Sequence, residues 1–343
     1  MKKQLLNVFF YLSMAVFALA FMTACPRPAL DIYIAGFEEL DDGSRVAVYW
    51  KNGEKTVLPK DSDSAWAFSI AVSGSDVYIA GLESTERGLQ RAVYWKNGEK
   101  TVLSDYTDMT WASSIAVSGT DIFIAGREMN DEGRFFAVLW ENDVKTYLSH
   151  GPLSAMAYGV ALSGTDVYVA GTDSNVDTSA VKAVYWRNGE QYILPENAGN
   201  AEVRAITISG NDIYIAGRDD IVPVYWKNGI KNILEDDSHI VNVNSIAVSN
   251  SDVFVTGYEI DNLGRIVAVY WRNGKKTILT RSGYSGTAFD VAVEGSSFYI
   301  AGRNIGANNI RSAVYWRNGE LVPLSRGANV IAAEALAIAI SPR

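Results

Sequence analysis

The chain has 343 residues, 20% of them charged and 48% hydrophobic, a balance that excludes disorder and allows a large buried core. Its net charge of -9 repels phosphate backbones, so no nucleic-acid partner is expected. Two histidines, His150 and His239, and one cysteine, Cys25, exclude an internal disulfide and a Cys/His metal cluster, and no cofactor or metal is expected.

The first element reads as an address. Lys2 and Lys3 precede an apolar run from Leu5 to Phe21 that is interrupted by Asn7 and Ser13. This is the layout of a secretory signal. The segment Met22-Thr23-Ala24-Cys25 resembles the lipobox of bacterial lipoproteins. In that family the cysteine thiol takes a diacylglyceryl group and cleavage leaves the cysteine as residue one. The resemblance implies a signal peptide over 1–24, lipidation at Cys25 and a short tether over 25–30. It also implies an exported protein, lipid-anchored to the bacterial cell membrane or outer membrane and facing the periplasm or the exterior. Cleavage would remove two lysines and leave the rest more acidic still. An uncleaved membrane helix and cleavage by an ordinary signal peptidase are the alternatives. The tether reaches about 20 Å when extended, at roughly 3.3–3.6 Å per residue.

From Asp31 onward one unit recurs seven times. The phrase Val48-Tyr49-Trp50-Lys51-Asn52-Gly53 returns around Trp95, Trp140, Trp186, Trp226, Trp271 and Trp316, spaced 40 to 46 residues apart. A second phrase, Asp31-Ile32-Tyr33-Ile34-Ala35-Gly36, also occurs seven times, and a third, Ile70-Ala71-Val72-Ser73-Gly74, precedes each later copy of it. Each unit is expected to hold four strands, here A (Ser69–Ser73), B (Asp76–Gly81), C (Ala92–Trp95) and D (Glu99–Leu103). Strands B and C are rich in Val, Ile, Tyr and Trp, which suit a pleated buried surface. The A–B connection, Ser73-Gly74-Ser75-Asp76, is a tight turn, and the Asp at the start of strand B is expected to cap it. The C–D connection is Asn-Gly in six copies and Asn142-Asp143 in the third, the signal of a type I′ hairpin.

Four-stranded antiparallel units of this length are propeller blades. The first unit starts at strand B, and the C-terminal Leu336–Ser341 is a strand A with no B after it. Together they complete one blade and close the ring, which removes the open sheet edges. The fold class is therefore all-β, a seven-bladed β-propeller over 31–343, expected to be a monomer. The recurring phrases also resemble the HAF-type repeats of bacterial extracellular proteins. They lack the Gly-His and Trp-Asp signatures of WD40 repeats.

The A–B and C–D turns are uniform between copies, whereas the B–C and D–A connections vary. One face of the disc is thus repetitive and the other diverse, and the diverse face is the expected functional one. Residues at the start of strand A should surround the mouth of the central channel. Trp66 and Trp111 lie outside the repeated phrase at equivalent places in adjacent blades. They are candidates for a stacking platform, with Tyr158, Arg204 and Phe289 beside them; packing between blades is the alternative. The seven repeated tryptophans are expected to pack blade against blade.

No catalytic constellation is found. His150 and His239 fall in D–A loops of non-adjacent blades, where solvated histidines are expected. Glu38, Glu39, Asp41 and Asp42, then Asp219 and Asp220, then Asp236 and Asp237 lack the spacing of a calcium loop and read as solvating charge. The expected function is a non-enzymatic binding module at the cell envelope, recognising a glycan, a peptide or an envelope protein through the variable face. Two alternatives stand beside it. One is a propeller enzyme of lactonase, lyase or glycoside hydrolase type, with Glu202, Arg204, Asp290 and Glu334 as its available charges. The other is a structural subunit of an envelope assembly.

Overall fold

The Ile-Ala-Gly and Val-Tyr-Trp phrases form the two middle strands of every blade. In the second blade, strand A runs Ser64–Ser73, B Asp76–Ser84, C Gln90–Lys96 and D Glu99–Val102. They are hydrogen-bonded in that order and antiparallel. The computed structural model describes residues 30–105, 109–174, 180–195, 200–236, 240–307 and 309–343. The signal segment 1–24 and Cys25 lie outside the described residues. Six further four-stranded sheets complete a seven-bladed β-propeller, and residues 32–341 form one unit. No described residue is helical, so no helix there is long and apolar enough to cross a membrane. In the first blade, strand A is the late segment Val330–Pro342, lying beside Leu30–Leu40.

The seven repeated tryptophans explain how the blades hold together. Each is at most 1% exposed. Trp95 packs with its own blade's Ile79 and Val93 and with Tyr33, Ala35 and Ala47 of the preceding blade. Trp140, Trp186, Trp226, Trp271 and Trp316 sit in matching clusters, each built from two consecutive blades. The indole N–H of Trp95 donates to the Pro59 carbonyl at 2.8 Å, and that of Trp50 donates to Ser325 at the same distance. Trp226 and Trp271 make the equivalent bond, whereas the indole N–H groups of Trp140, Trp186 and Trp316 have no acceptor among the described residues, so burial of the large ring at the blade boundary is what all seven share.

The tight-turn face is clasped by the repeat itself. Asn97 (φ 51°) and Gly98 (φ 86°) form the C–D turn, where both central residues need positive φ. The Asn97 side-chain oxygen accepts the Val77 N–H at 2.9 Å, and its amide donates to Asp76 at 2.8 Å. All seven blades repeat the Asn bond to strand B. The repeated Asp therefore caps across the hairpin, on the C–D asparagine, and not on its own A–B turn.

Strands A and B run several residues past their expected ends, for two reasons. The first is a β-bulge in strand A: in the second blade Ala67 pairs with Gly81 and Ser69 with Ala80, which leaves Phe68 unpaired. The same shift occurs in the next five blades. The glycine opposite is required there, since a Cβ on Gly81 would overlap the Trp66 carbonyl oxygen. The second reason is an ion pair at the end of strand B. Glu38 and Glu83 are at most 1% exposed and bond Lys55 (2.6 Å) and Lys100 (2.7 Å) of strand D. Asp219 with Lys231 and Glu259 with Lys276 repeat the pattern, at 2.5 and 2.6 Å. Glu38 and Asp219 are thus buried ion-pair partners and not solvating charge. Removing one partner of such a pair costs about 3–5 kcal/mol.

Candidate functional site

The bulges position the site. A bulge adds one residue that has no partner on the adjoining strand and re-aims its side chain. The bulged residues are Phe68, Ser113, Tyr158, Arg204, Asn244 and Phe289. With Leu336 from the C-terminal strand they line one cavity of about 280 Å³. Each blade supplies one residue, and the seven positions carry six residue types. Tyr158, Arg204 and Phe289, expected near the channel mouth, are brought together here.

Beneath this rim the side chain after the bulge often reaches the next blade. Ser69 Oγ accepts the Ile115 N–H at 3.1 Å, and Ser114 Oγ accepts that of Val160 at 3.2 Å. Asp290 extends the device: one carboxylate oxygen accepts the Ile338 N–H at 2.8 Å, and the other accepts the Ser245 hydroxyl at 2.6 Å and its neighbour Val291 N–H at 2.9 Å. Asp290 thereby ties blades six, seven and one. Burial pushes its carboxyl above the usual carboxylate range, against the lowering effect of these three bonds. It is the one carboxylate lining this cavity among the described residues, whereas glycoside hydrolysis generally calls for two.

The other strand A charges are engaged. Glu334 is 5% exposed and takes Arg303 at 2.7 Å and Arg311 at 3.2 Å. Glu202 is shared between Arg218 at 3.2 Å and Arg204 at 3.4 Å.

The two candidate tryptophans occupy different surroundings. Trp66 is half-buried under the Arg45 guanidinium, 5.3 Å from its ring, with Phe37 at 6.3 Å. It lines a separate hollow of about 730 Å³ with Lys60, Asp63 and Glu86. Trp111 packs edge-on to Phe135 at 5.4 Å. Arg127 lies 4.6 Å from the Trp111 ring, 5.4 Å from Phe135 and 5.9 Å from Tyr158. Arg204 stands 4.8 Å from the same Tyr158 ring. Trp111, Arg127, Tyr158 and Arg204 therefore form a continuous aromatic–cation stack that ends at the channel mouth. Burial pulls Arg127 below its usual pKa, Tyr158 opposes this, and Arg204 adds to it.

His150 is exposed beside a hollow lined by Glu128, Phe136 and Tyr147, while His239 lies outside the described residues. Among the described residues no group of three or more His, Cys, Asp or Glu could hold a metal ion.

Sequence reasoning missed the bulge and Arg127. The bulge had a signal in the repeated glycine inside strand B, since such glycines mark close backbone approach. Arg127 follows that glycine at the start of a variable B–C connection, where Leu82, Thr172 and two further arginines, Arg218 and Arg303, take equivalent places, and nothing in the sequence set it apart from them.

No protein-family model matches this chain, and no curated protein matches it. Solved structures do. A puromycin-hydrolyzing peptidase of Mycobacterium tuberculosis matches with a TM-score of 0.59 and 11% identity, over 86% of this chain and 52% of its own. An acylaminoacyl peptidase of Pyrococcus horikoshii matches with a TM-score of 0.51 and 12% identity, over 88% of this chain and 51% of its own. The chain thus spans about half the length of these enzymes. At such identities the likeness shows the propeller fold alone.

Proposed function

We propose that this protein is a non-enzymatic recognition module of the bacterial cell envelope, held by lipid on Cys25 and built of HAF-like repeats. It takes a glycan, a peptide or an envelope protein on the face that carries the B–C and D–A connections. One observation carries this reading: the frame repeats sevenfold, yet the residues it presents at the central mouth differ from blade to blade. Aromatic rings, neutral hydrogen-bonding groups and one exposed guanidinium converge on a cavity of about 280 Å³. A rigid scaffold that varies where side chains converge is how binding sites are built on repeat folds. The address rests on the lipobox-like Met22–Cys25 and the apolar run before it.

The test is a binding screen of the full-length chain in mild detergent against glycans, cell-wall fragments and short peptides. A parallel screen would use the Trp66→Ala/Trp111→Ala and Tyr158→Ala/Arg204→Ala double variants. Loss with the second pair alone places recognition at the mouth, and loss with the first pair alone places it at the rim. A folded chain that binds nothing sinks the module reading. Mass spectrometry of the processed N-terminus checks the anchor: an unmodified Cys25 removes it.

A second reading, a subunit of an envelope assembly, is favoured by the outermost strands. Strand D exposes Val57 (53%), Ile193 (57%), Ile233 (67%) and Ile278 (55%) at equivalent places. Open edges bearing apolar residues are suited to pairing with another chain. A defined stoichiometric complex that Ile233→Lys abolishes would establish it.

A further inference from the structure

Arg127 poses a problem of unpaired charge. It is largely buried against Trp111, Phe135 and Tyr158. No carboxylate among the described residues pairs with it, and the acceptors its guanidinium meets are neutral: the Tyr158 hydroxyl and, at 4.0 Å, the Met156 sulfur. Its Nε is buried and has no acceptor at all. Aromatic faces offset part of the cost of a desolvated cation, but they do not replace an anion. Arg204 adds to the imbalance. Its side chain is 40% exposed, and the Glu202 carboxylate it approaches is shared with Arg218. Arg204 and Arg218 therefore share one carboxylate and Arg127 pairs with none among the described residues, on a chain whose net charge is -9. A local excess of positive charge on an acidic protein concentrates anions where they are wanted.

We infer that the channel mouth is a site for an acidic sugar: Arg204, with the Arg127 cation behind Tyr158, draws the carboxylate of a uronic acid, and Tyr158 and Phe289 face its ring. The inference rests on the recognition-module reading and gives that module a ligand class. Three kinds of group meet at the mouth, and each matches one part of such a ligand. The exposed Arg204 fork suits a planar carboxylate. The aromatic rings suit the apolar C–H face of a pyranose. Ser113 and Asn244, also at the rim, suit its hydroxyl groups. Inorganic phosphate would use the fork and leave the rings idle. A cavity of about 280 Å³ has room for one sugar unit at the end or bend of a chain, near the small end of ordinary ligand sites.

Isothermal titration of the full-length chain in mild detergent with D-glucuronic acid, D-glucose and inorganic phosphate tests this. The wild type is compared with Arg204→Gln and Arg127→Met, the latter keeping an apolar stem between the rings. Glucuronic acid is expected to bind about tenfold or more tighter than glucose or phosphate, and each variant is expected to lose about tenfold or more, the scale of a charge-assisted hydrogen bond. Should Arg127→Met fail to fold, the wild-type ligand ratio and Arg204→Gln still decide. Equal affinity for glucose overturns the carboxylate assignment, and equal affinity for phosphate reduces the site to a general anion site. Tighter binding of a peptide's terminal carboxylate assigns the mouth to peptides and overturns the sugar. If glucuronic acid fails while another glycan or peptide binds elsewhere on the face, this inference falls and the module stands. If nothing binds to the folded chain, both fall.

Discussion

The two ends of strand A show how a repeat protein separates stability from recognition. At the tight-turn end each blade repeats one solution: a turn with positive φ, an asparagine bonded to strand B, and an aspartate holding that asparagine in five blades. At the mouth end the backbone is just as regular, bulge after bulge, but the side chains differ. The regular end lies where backbone groups must find partners, so chemistry allows few answers. The bulged residue has no partner across the sheet and turns toward the cavity, so its identity is free of the frame. Variation is therefore cheap where a ligand would arrive and costly everywhere else in the blade.

Substitutions can break or sharpen this contrast. The largest effect is expected from Trp95→Ala, which empties a blade boundary and removes the bond to Pro59. It should cost about 3–5 kcal/mol by denaturant unfolding, and a loss under 1 kcal/mol would show that the repeated indoles do not set blade cohesion. Gly81→Ala follows, at about 2–3 kcal/mol, because the new Cβ meets backbone that must move to admit it. A neutral result would mean the bulge is not pinned by the glycine opposite.

Asp290 is predicted to give a smaller effect that depends on pH. Burial raises its carboxyl above the usual carboxylate range, so the folded state holds the proton more tightly than the unfolded chain. The stability this group adds is greatest below the unfolded value and is lost as pH rises through the folded one. Urea midpoints of the wild type against Asp290→Asn between about pH 3.5 and 7 should show that slope in the wild type and a flatter profile in the variant. The opposite sign would mean its hydrogen bonds outweigh its burial. The smallest effect on stability belongs to Tyr158→Ala, at about 1 kcal/mol or less, with loss of ligand binding. A large destabilisation would make the mouth part of the frame.

Much of this was legible in the sequence because repetition supplies its own controls. The strands, the Asn-Gly turns, the seven tryptophans and the strand that completes the first blade all followed from comparing the copies. So did the position of Tyr158, Arg204 and Phe289 near the mouth, by counting along strand A. The bulge was missed despite the glycine that marks it, because one extra residue offsets the alternation of side chains that locates a strand. That offset hid the first half of strand A, and Trp66 and Trp111 differ because Phe37 and Arg45 meet the one and Phe135 and Arg127 the other. The buried acids were misread for a different reason. Asp219 stands next to the exposed Asp220, and Glu38 a few residues before the exposed Asp41 and Asp42, and burial depends on a lysine 12 to 17 residues away. The copies held the clue: the seventh blade has Asn304 and Leu321 at these two places, so acid and lysine are lost together.

Closure of the ring by a strand from the far end of the sequence has a consequence in time. Leu30–Leu40 can form early beside Arg45–Lys51, but its other edge waits for Val330–Pro342, about 300 residues later. Contacts so distant in sequence form slowly, and until they do a buried-type strand offers its free edge to any chain nearby. The same arrangement works in reverse once the ring is shut. Leu30–Leu40 is then paired on both edges like strand B of every other blade, and reopening this one seam is the expected first step in loss of the fold. If that seam opens slowly, the lifetime of the protein follows the rate of opening and not only the depth of its energy well.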